Sequence, residues 1–176
     1  MDIKAKEVMI TELKDITIVP GQSCFVCPGK NTSFHDVIEK IFECTGPAEL
    51  ALASYSVSES SLRVLHRMKS EGLITKLTFL FDRSVRTHKL NLLAFAANFS
   101  DEIFLDNSHI KLALINNDQY NVAVITTANI TDNERWEYYL IAATTDLIME
   151  STQMLSYLLT FSEKFIWNGS GTAKIG

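Results

Sequence analysis

His109-Ile110-Lys111, the run Thr126-Thr127-Ala128-Asn129, and Asn133 followed by Glu137 are the parts of this sequence whose residue types and spacing can do chemistry. They offer an imidazole, an ammonium, hydroxyls, a carboxamide and a carboxylate. Such groups can serve as nucleophile, as acid or base, and as hydrogen-bond donors to a bound ligand. In a strand, residues two apart share a face, so His109 and Lys111 project together while Leu112 and Leu114 turn to the opposite, buried side. Thr127 and Asn129 share a face by the same rule, and Glu137 enters the next strand. Three neighbouring apolar strands thus each offer polar groups that can converge. Buried polar groups cost free energy unless they pair with one another or with a ligand. Blander readings stand beside this one. HxK alone suits a surface edge, threonines favour strands anyway, and Glu137 can pair with Arg135.

Positioning falls to alternating elements. Ser33 reads as the N-cap of a helix over 34–43, with Phe34, Val37, Ile38, Ile41 and Phe42 at helical spacing. A buried strand follows over 49–55. Ser58 or Ser60 caps the next helix, whose apolar face holds Leu62, Val64, Leu65 and Met68, and Gly72 ends it. The pattern then predicts a strand over 73–81, a helix over 90–99, and strands over 102–105, 109–115, 122–127 and 136–143. A long amphipathic helix over 147–167 closes the chain, ahead of a flexible tail over about 168–176. Residues up to about 30 form an irregular lead-in with turns at Pro20-Gly21 and Pro28-Gly29-Lys30-Asn31. This order predicts a single α/β domain over 1–176, a mixed β-sheet flanked by helices on both faces.

The balance of 47% hydrophobic and 21% charged residues in 176 supports one core without metal or disulfide staples. A net charge of -5 counts against a broadly basic nucleic-acid glove, though not against a local basic cleft. The three cysteines, Cys24, Cys27 and Cys44, suit a reducing compartment. Cys24 and Cys27 have the spacing of half a zinc knuckle, but a structural site needs four ligands, so no metal is expected. The first seven residues carry no apolar stretch, and no window approaches a membrane span. A cytoplasmic protein without a membrane partner is the expectation.

His109-Ile110-Lys111, then Thr126-Thr127-Ala128-Asn129-Ile130-Thr131, then Asn133 and Glu137, resembles the HxK … GSxN … E signature of the phospholipase D superfamily. The single-motif, nuclease-like members of bacteria and phages are the most similar branch. Ala53-Ser54-Tyr55-Ser56-Val57-Ser58 ahead of a helix, and the strand ending Leu80-Phe81-Asp82, are similar to how such domains begin. About two-thirds of the chain is covered, roughly 33–143. Two positions depart: Asn116 stands where the motif has Asp, and Thr126-Thr127 replaces Gly-Ser.

The resemblance implies a phospholipase D-like half-domain. It implies His109 as the nucleophile, forming a phosphohistidine, and Lys111 on the phosphate oxygens. Asn129 and Thr127 would donate further hydrogen bonds, with Thr126 beside them, and Glu137 would orient the imidazole. No cofactor or metal is implied, because lysine supplies the charge. A second histidine is required as general acid, and His35, His66 and His88 lack an HxK context. A homodimer that brings two copies of His109 together is therefore expected. Arg83, Arg86, His88 and Lys89 form a basic cluster that can steer a phosphate backbone, with a solvated helix face as the equal alternative. Trp136, Tyr138 and Tyr139 can stack bases or pack in the core. The function expected is a metal-independent nuclease or phosphodiesterase on DNA or RNA. The alternative is a catalytically degenerate module that binds nucleic acid or a protein partner, and a lipid phosphodiesterase ranks last.

Overall fold

The computed structural model describes residues 9–167 and 173–175. The opening residues read above as lacking a signal, and most of the tail, lie outside the described residues. The elements run β1 (Met9–Ile10), β2 (Ser23–Val26), α1 (Phe34–Thr45), β3 (Ala48–Ser54), α2 (Glu59–Ser70), β4 (Ile74–Asp82), α3 (Arg83–His88) and α4 (Leu90–Ala97). They continue with β5 (Glu102–Asp106), β6 (Leu112–Asn116), β7 (Asn121–Thr126), β8 (Tyr139–Ala142), α5 (Thr145–Phe161), β9 (Glu163–Trp167) and β10 (Ala173–Ile175). Among the described residues the strands form one sheet in the order β1-β2-β8-β7-β6-β3-β4-β5-β9-β10. The trio β3, β4 and β5 is parallel, and β6, β7 and β8 run antiparallel beside it. The sheet is mixed, as the element order predicts.

Helices cover both faces. On one face, Phe34, Val37, Ile38, Ile41 and Phe42 of α1 and Leu62, Leu65 and Met68 of α2 join a core with Leu52, Phe79, Phe81, Ile103 and Val124 from the strands. On the other, Leu155 of α5 packs with Ala53, Leu80, Leu112, Leu114 and Ala123. Strand alternation produces this division: Leu112 and Leu114 face α5, while Ala113 and Ile115 face the larger core. The helix starts follow local chemistry. The Ser33 backbone N–H donates to Asp36 Oδ2 at 2.7 Å, and Ser58 Oγ accepts from Ser61 N at 3.3 Å.

Several boundaries differ from the sequence reading. β6 begins at Leu112 and β8 at Tyr139, so His109, Lys111 and Glu137 lie in irregular segments just before their strands. β7 ends at Thr126, leaving Thr127 beyond it. The helix expected over 147–167 is two elements, α5 and β9. Phe161 and Phe165 keep helical spacing, but Ser162 takes an extended backbone and Glu163 pairs with Leu105 of β5. Within the expected tail, Ala173–Ile175 pairs with β9. The basic segment before α4 is a separate short helix, α3, broken from it at Lys89. No helix among the described residues is long and apolar enough to cross a membrane.

Candidate active site

The parallel strands β3, β4 and β5 end at Ser54, Asp82 and Asp106, and at that same edge β6 starts, β7 stops and β8 starts. The chain segments leaving these strands converge there, outside the carboxyl ends of the parallel strands, where open α/β sheets bind ligands. His109 and Lys111 precede β6, Thr127 and Asn129 follow β7, and Glu137 precedes β8. Five positions singled out by type and spacing are therefore brought to one edge.

The His109 side chain is exposed, whereas Lys111 is 9% exposed. Lys111 Nζ lies 2.7 Å from His109 Nδ1 and donates to the His109 carbonyl at 2.9 Å. The Lys111 backbone carbonyl still accepts from Thr126 N at 3.3 Å, which ties the segment to β7. Burial pushes the Lys111 ammonium below its ordinary value, and the nearby Glu137 carboxylate opposes that shift. Glu137 in turn accepts a short hydrogen bond from the Thr127 hydroxyl. Asn129 Oδ1 accepts from Ser56 N at 3.2 Å and lies 3.4 Å from Ser54 Oγ. With its oxygen so held, the Asn129 amide NH2 has no hydrogen-bond acceptor among the described residues and is available to a ligand.

Sequence reasoning gave no site role to Ser54, Tyr55, Ser56 or Asp82, and read Lys89 only as part of a basic cluster. Tyr55 packs its ring against His109, centroids 4.5 Å apart, and lies 5.9 Å from Lys111 Nζ. Ser54 and Ser56 hold Asn129, and Lys89 Nζ donates to Ser56 Oγ at 2.8 Å and to the Val57 carbonyl at 2.7 Å. Asp82 accepts from Ser84 N at 2.9 Å and from Ser108 N at 3.2 Å, anchoring the segment that carries His109. Burial alone would raise the Asp82 carboxyl, but hydrogen bonds from Ser84 and Ser108 and the charge on His109 hold it below its ordinary value. The available signal was positional: Tyr55 and Asp82 stand at the ends of apolar runs, where strands deliver side chains to an edge.

The remaining candidates have their own partners. The Arg83 guanidinium faces Glu163 of β9 at 3.8 Å, and Arg86 pairs with the same carboxylate at 2.8 Å. The Thr126 hydroxyl donates to the Tyr138 carbonyl at 2.8 Å and accepts from Ala128 N at 3.0 Å, so it braces the turn rather than facing outward. Glu137 bonds Thr127 and not the imidazole, whose Nδ1 partner is Lys111. His35 is held by Ser61 at 2.9 Å, and His66 packs against Phe95 and Phe99. A separate cleft of about 350 Å³ opens at the opposite end of β8, lined by Asp15, Gln22, Cys24 and Ala143 among others, and contains none of the clustered groups.

No family model matches the chain, and no curated protein is similar to it at a significant level. Solved structures are similar to it. NucT from Helicobacter pylori superposes with a TM-score of 0.54 at 17% identity, over 65% of this chain and 80% of that one. Polyphosphate kinase from Porphyromonas gingivalis gives 0.59 at 15% identity, over 89% of this chain and 27% of the other. Phosphatidylserine synthase from Haemophilus influenzae gives 0.58 at 11%, over 90% and 41%. All three are phospholipase D superfamily proteins. The fold is phospholipase D-like. At these identities the likeness speaks for architecture alone. The chain spans most of NucT but well under half of the two larger proteins.

Proposed function

We propose that this chain is one half-site of a metal-independent phosphodiesterase that cleaves nucleic acid, completed by a second copy. The observation that carries the proposal is a buried ammonium, Lys111, held against an exposed imidazole, His109, with the free amide of Asn129 at the same edge. An ammonium kept partly out of water is a strong partner for phosphate oxygens. With Lys111 charged, Nδ1 of His109 accepts its proton, which leaves the ring's own proton on Nε2. Attack by Nε2 therefore requires an incoming phosphate to draw the ammonium from Nδ1 onto its oxygens. The proton then resides on Nδ1, and Nε2 is free to form the P–N bond as the P–O bond to the leaving group breaks. A second histidine, protonated as the imidazolium, must give that oxygen its proton and so become neutral. His109 of a second copy fits this need, since His35 is held by Ser61, His66 packs on Phe95 and Phe99, and His88 lines a separate cleft with Glu59 and Leu92. Water, deprotonated by that second imidazole, then breaks the P–N bond and releases the product.

Cleavage of an oligonucleotide in excess EDTA, with His109→Ala as control, tests this reading together with the mass in solution. Chelator-resistant cleavage that His109→Ala abolishes, by a dimer, is the expected result. Cleavage indifferent to that substitution would end it. One observation favours a second reading, a degenerate module that binds without turnover: Glu137 engages Thr127 and leaves the imidazole without a carboxylate. Nucleic-acid binding without cleavage, unaffected by His109→Ala, would select that reading.

A further inference from the structure

Two large aromatic side chains flank Glu137 and stand in solvent. Trp136 is 65% exposed and Tyr138 51%, whereas Tyr139, next along, is fully buried against Phe34. Two exposed aromatics on one short segment beside the polar cluster offer flat apolar faces that a partner can cover. The segment that presents them is braced. Asn133 N donates to Ser33 Oγ at 3.2 Å, Arg135 N to Asn133 Oδ1 at 2.9 Å, and Ser60 Oγ to Asp132 at 2.7 Å. Tyr138 is fixed through its backbone, its carbonyl accepting from Thr126 Oγ1 at 2.8 Å. The Trp136 ring edge lies over Gly29, 3.8 Å from where a Cβ would stand. Gly29 has φ +85°, so that loop both needs glycine and leaves room for the indole. Lys30 and Arg135, both exposed, adjoin the pair.

We infer that Trp136 and Tyr138 are stacking platforms for unpaired bases of a nucleic-acid strand whose phosphate sits at His109 and Lys111. The inference rests on the function proposed above and adds the form of the substrate: a strand with its bases free. Charge explains why stacking is needed. The chain carries -5 overall, and at this rim Lys30, Arg135 and Lys111 are offset by Glu134 and Glu137. Counterion release from so few cations provides a weak grip, while a base stacked on an aromatic contributes binding that salt does not erode. A base inside a duplex has both faces covered by the stacked neighbours, so it offers none to either ring.

The test measures binding of the His109→Ala protein, which cannot turn over, to a 12-nucleotide single strand, the same length of abasic strand, and a duplex. The single strand is expected to bind more tightly than the other two, with a shallow salt dependence. Trp136→Ala and Tyr138→Ala should each weaken single-strand binding roughly tenfold or more and leave the abasic strand unaffected. Tyr138→Phe, which keeps the ring, should bind as the parent does, and unchanged melting temperatures would exclude misfolding. Equal affinity for abasic and base-bearing strands would overturn the stacking role while leaving phosphodiester cleavage intact. Failure to bind any of the three probes would overturn the inference and the nucleic-acid reading together. A shift from dimer to monomer in Trp136→Ala, without loss of base-dependent binding, would assign the ring to the contact between copies and overturn the inference.

Discussion

The two ends of the β6–β7 pair carry polar clusters of similar size and opposite character. At the far end, Asn117 Oδ1 accepts from Gln119 N at 2.9 Å and Tyr120 N at 2.8 Å. Its Nδ2 donates to the carbonyls of Thr45 and Pro47, both at 3.0 Å. Every hydrogen-bonding group of that amide is used, and it ties the β6–β7 turn to the end of α1. At the near end, Asn129 has its oxygen held and its NH2 idle, Lys111 is desolvated, and His109 is exposed. A satisfied polar group builds architecture; a group held in place with capacity left over awaits a ligand. Asn116, where the motif has Asp, belongs to the far end, pairing with Asn121 and Glu49. Its replacement therefore does not touch the clustered groups directly.

Substitutions at the two ends should separate activity from stability. His109→Ala should lower cleavage about 10³-fold or more with no loss of melting temperature, since its ring is exposed. Lys111→Met should lower it by about 10²–10³-fold while the melting temperature holds or rises. The sign follows from burial. The folded state depresses the Lys111 ammonium, so the charged form is penalised at neutral pH, and that penalty fades as pH rises toward the unfolded value. The stability gain of Lys111→Met should accordingly shrink in alkaline solution. Asn117→Ala should do the reverse, costing about 1–3 kcal/mol in denaturant titration while activity per folded molecule persists. An Asn117→Ala protein that stays fully stable would break the comparison.

The smallest effect belongs to Asp82. Its carboxyl is depressed in the folded state, so it contributes stability above its unfolded value that is lost as pH falls through the folded one. Asp82→Asn should cost about 1 kcal/mol at neutral pH, and urea midpoints of the two proteins should converge in strong acid.

What the sequence revealed depended on distance along the chain. His109 and Lys111, or Thr127 and Asn129, are two residues apart, and each pair reaches the same sheet edge although none of the four lies within a strand. The sheet with helices on both faces was legible because each apolar run has a clear period. Tyr55 and Asp82 were not legible as site residues, because only the packing of β3 and β4 beside β6 brings them to His109. The pairing of Arg83 with Glu163 was not legible for the same reason: Glu163 lies on a strand hidden inside an apparently continuous helical pattern. Glu137, expected within a strand, stands just ahead of β8, and its partner is Thr127 rather than the imidazole.

The central claim is that His109, Lys111 and Asn129 together receive a phosphate. Titrating inorganic phosphate into isotopically labelled protein, and following the His109 ring nitrogens and the Asn129 amide protons by NMR, tests it most directly. The account predicts that both sets of signals shift together along one saturating curve, with Nδ1 changing as the ammonium departs, and that Lys111→Met abolishes the response. Saturable shifts confined to other residues, or none at these two, would contradict it.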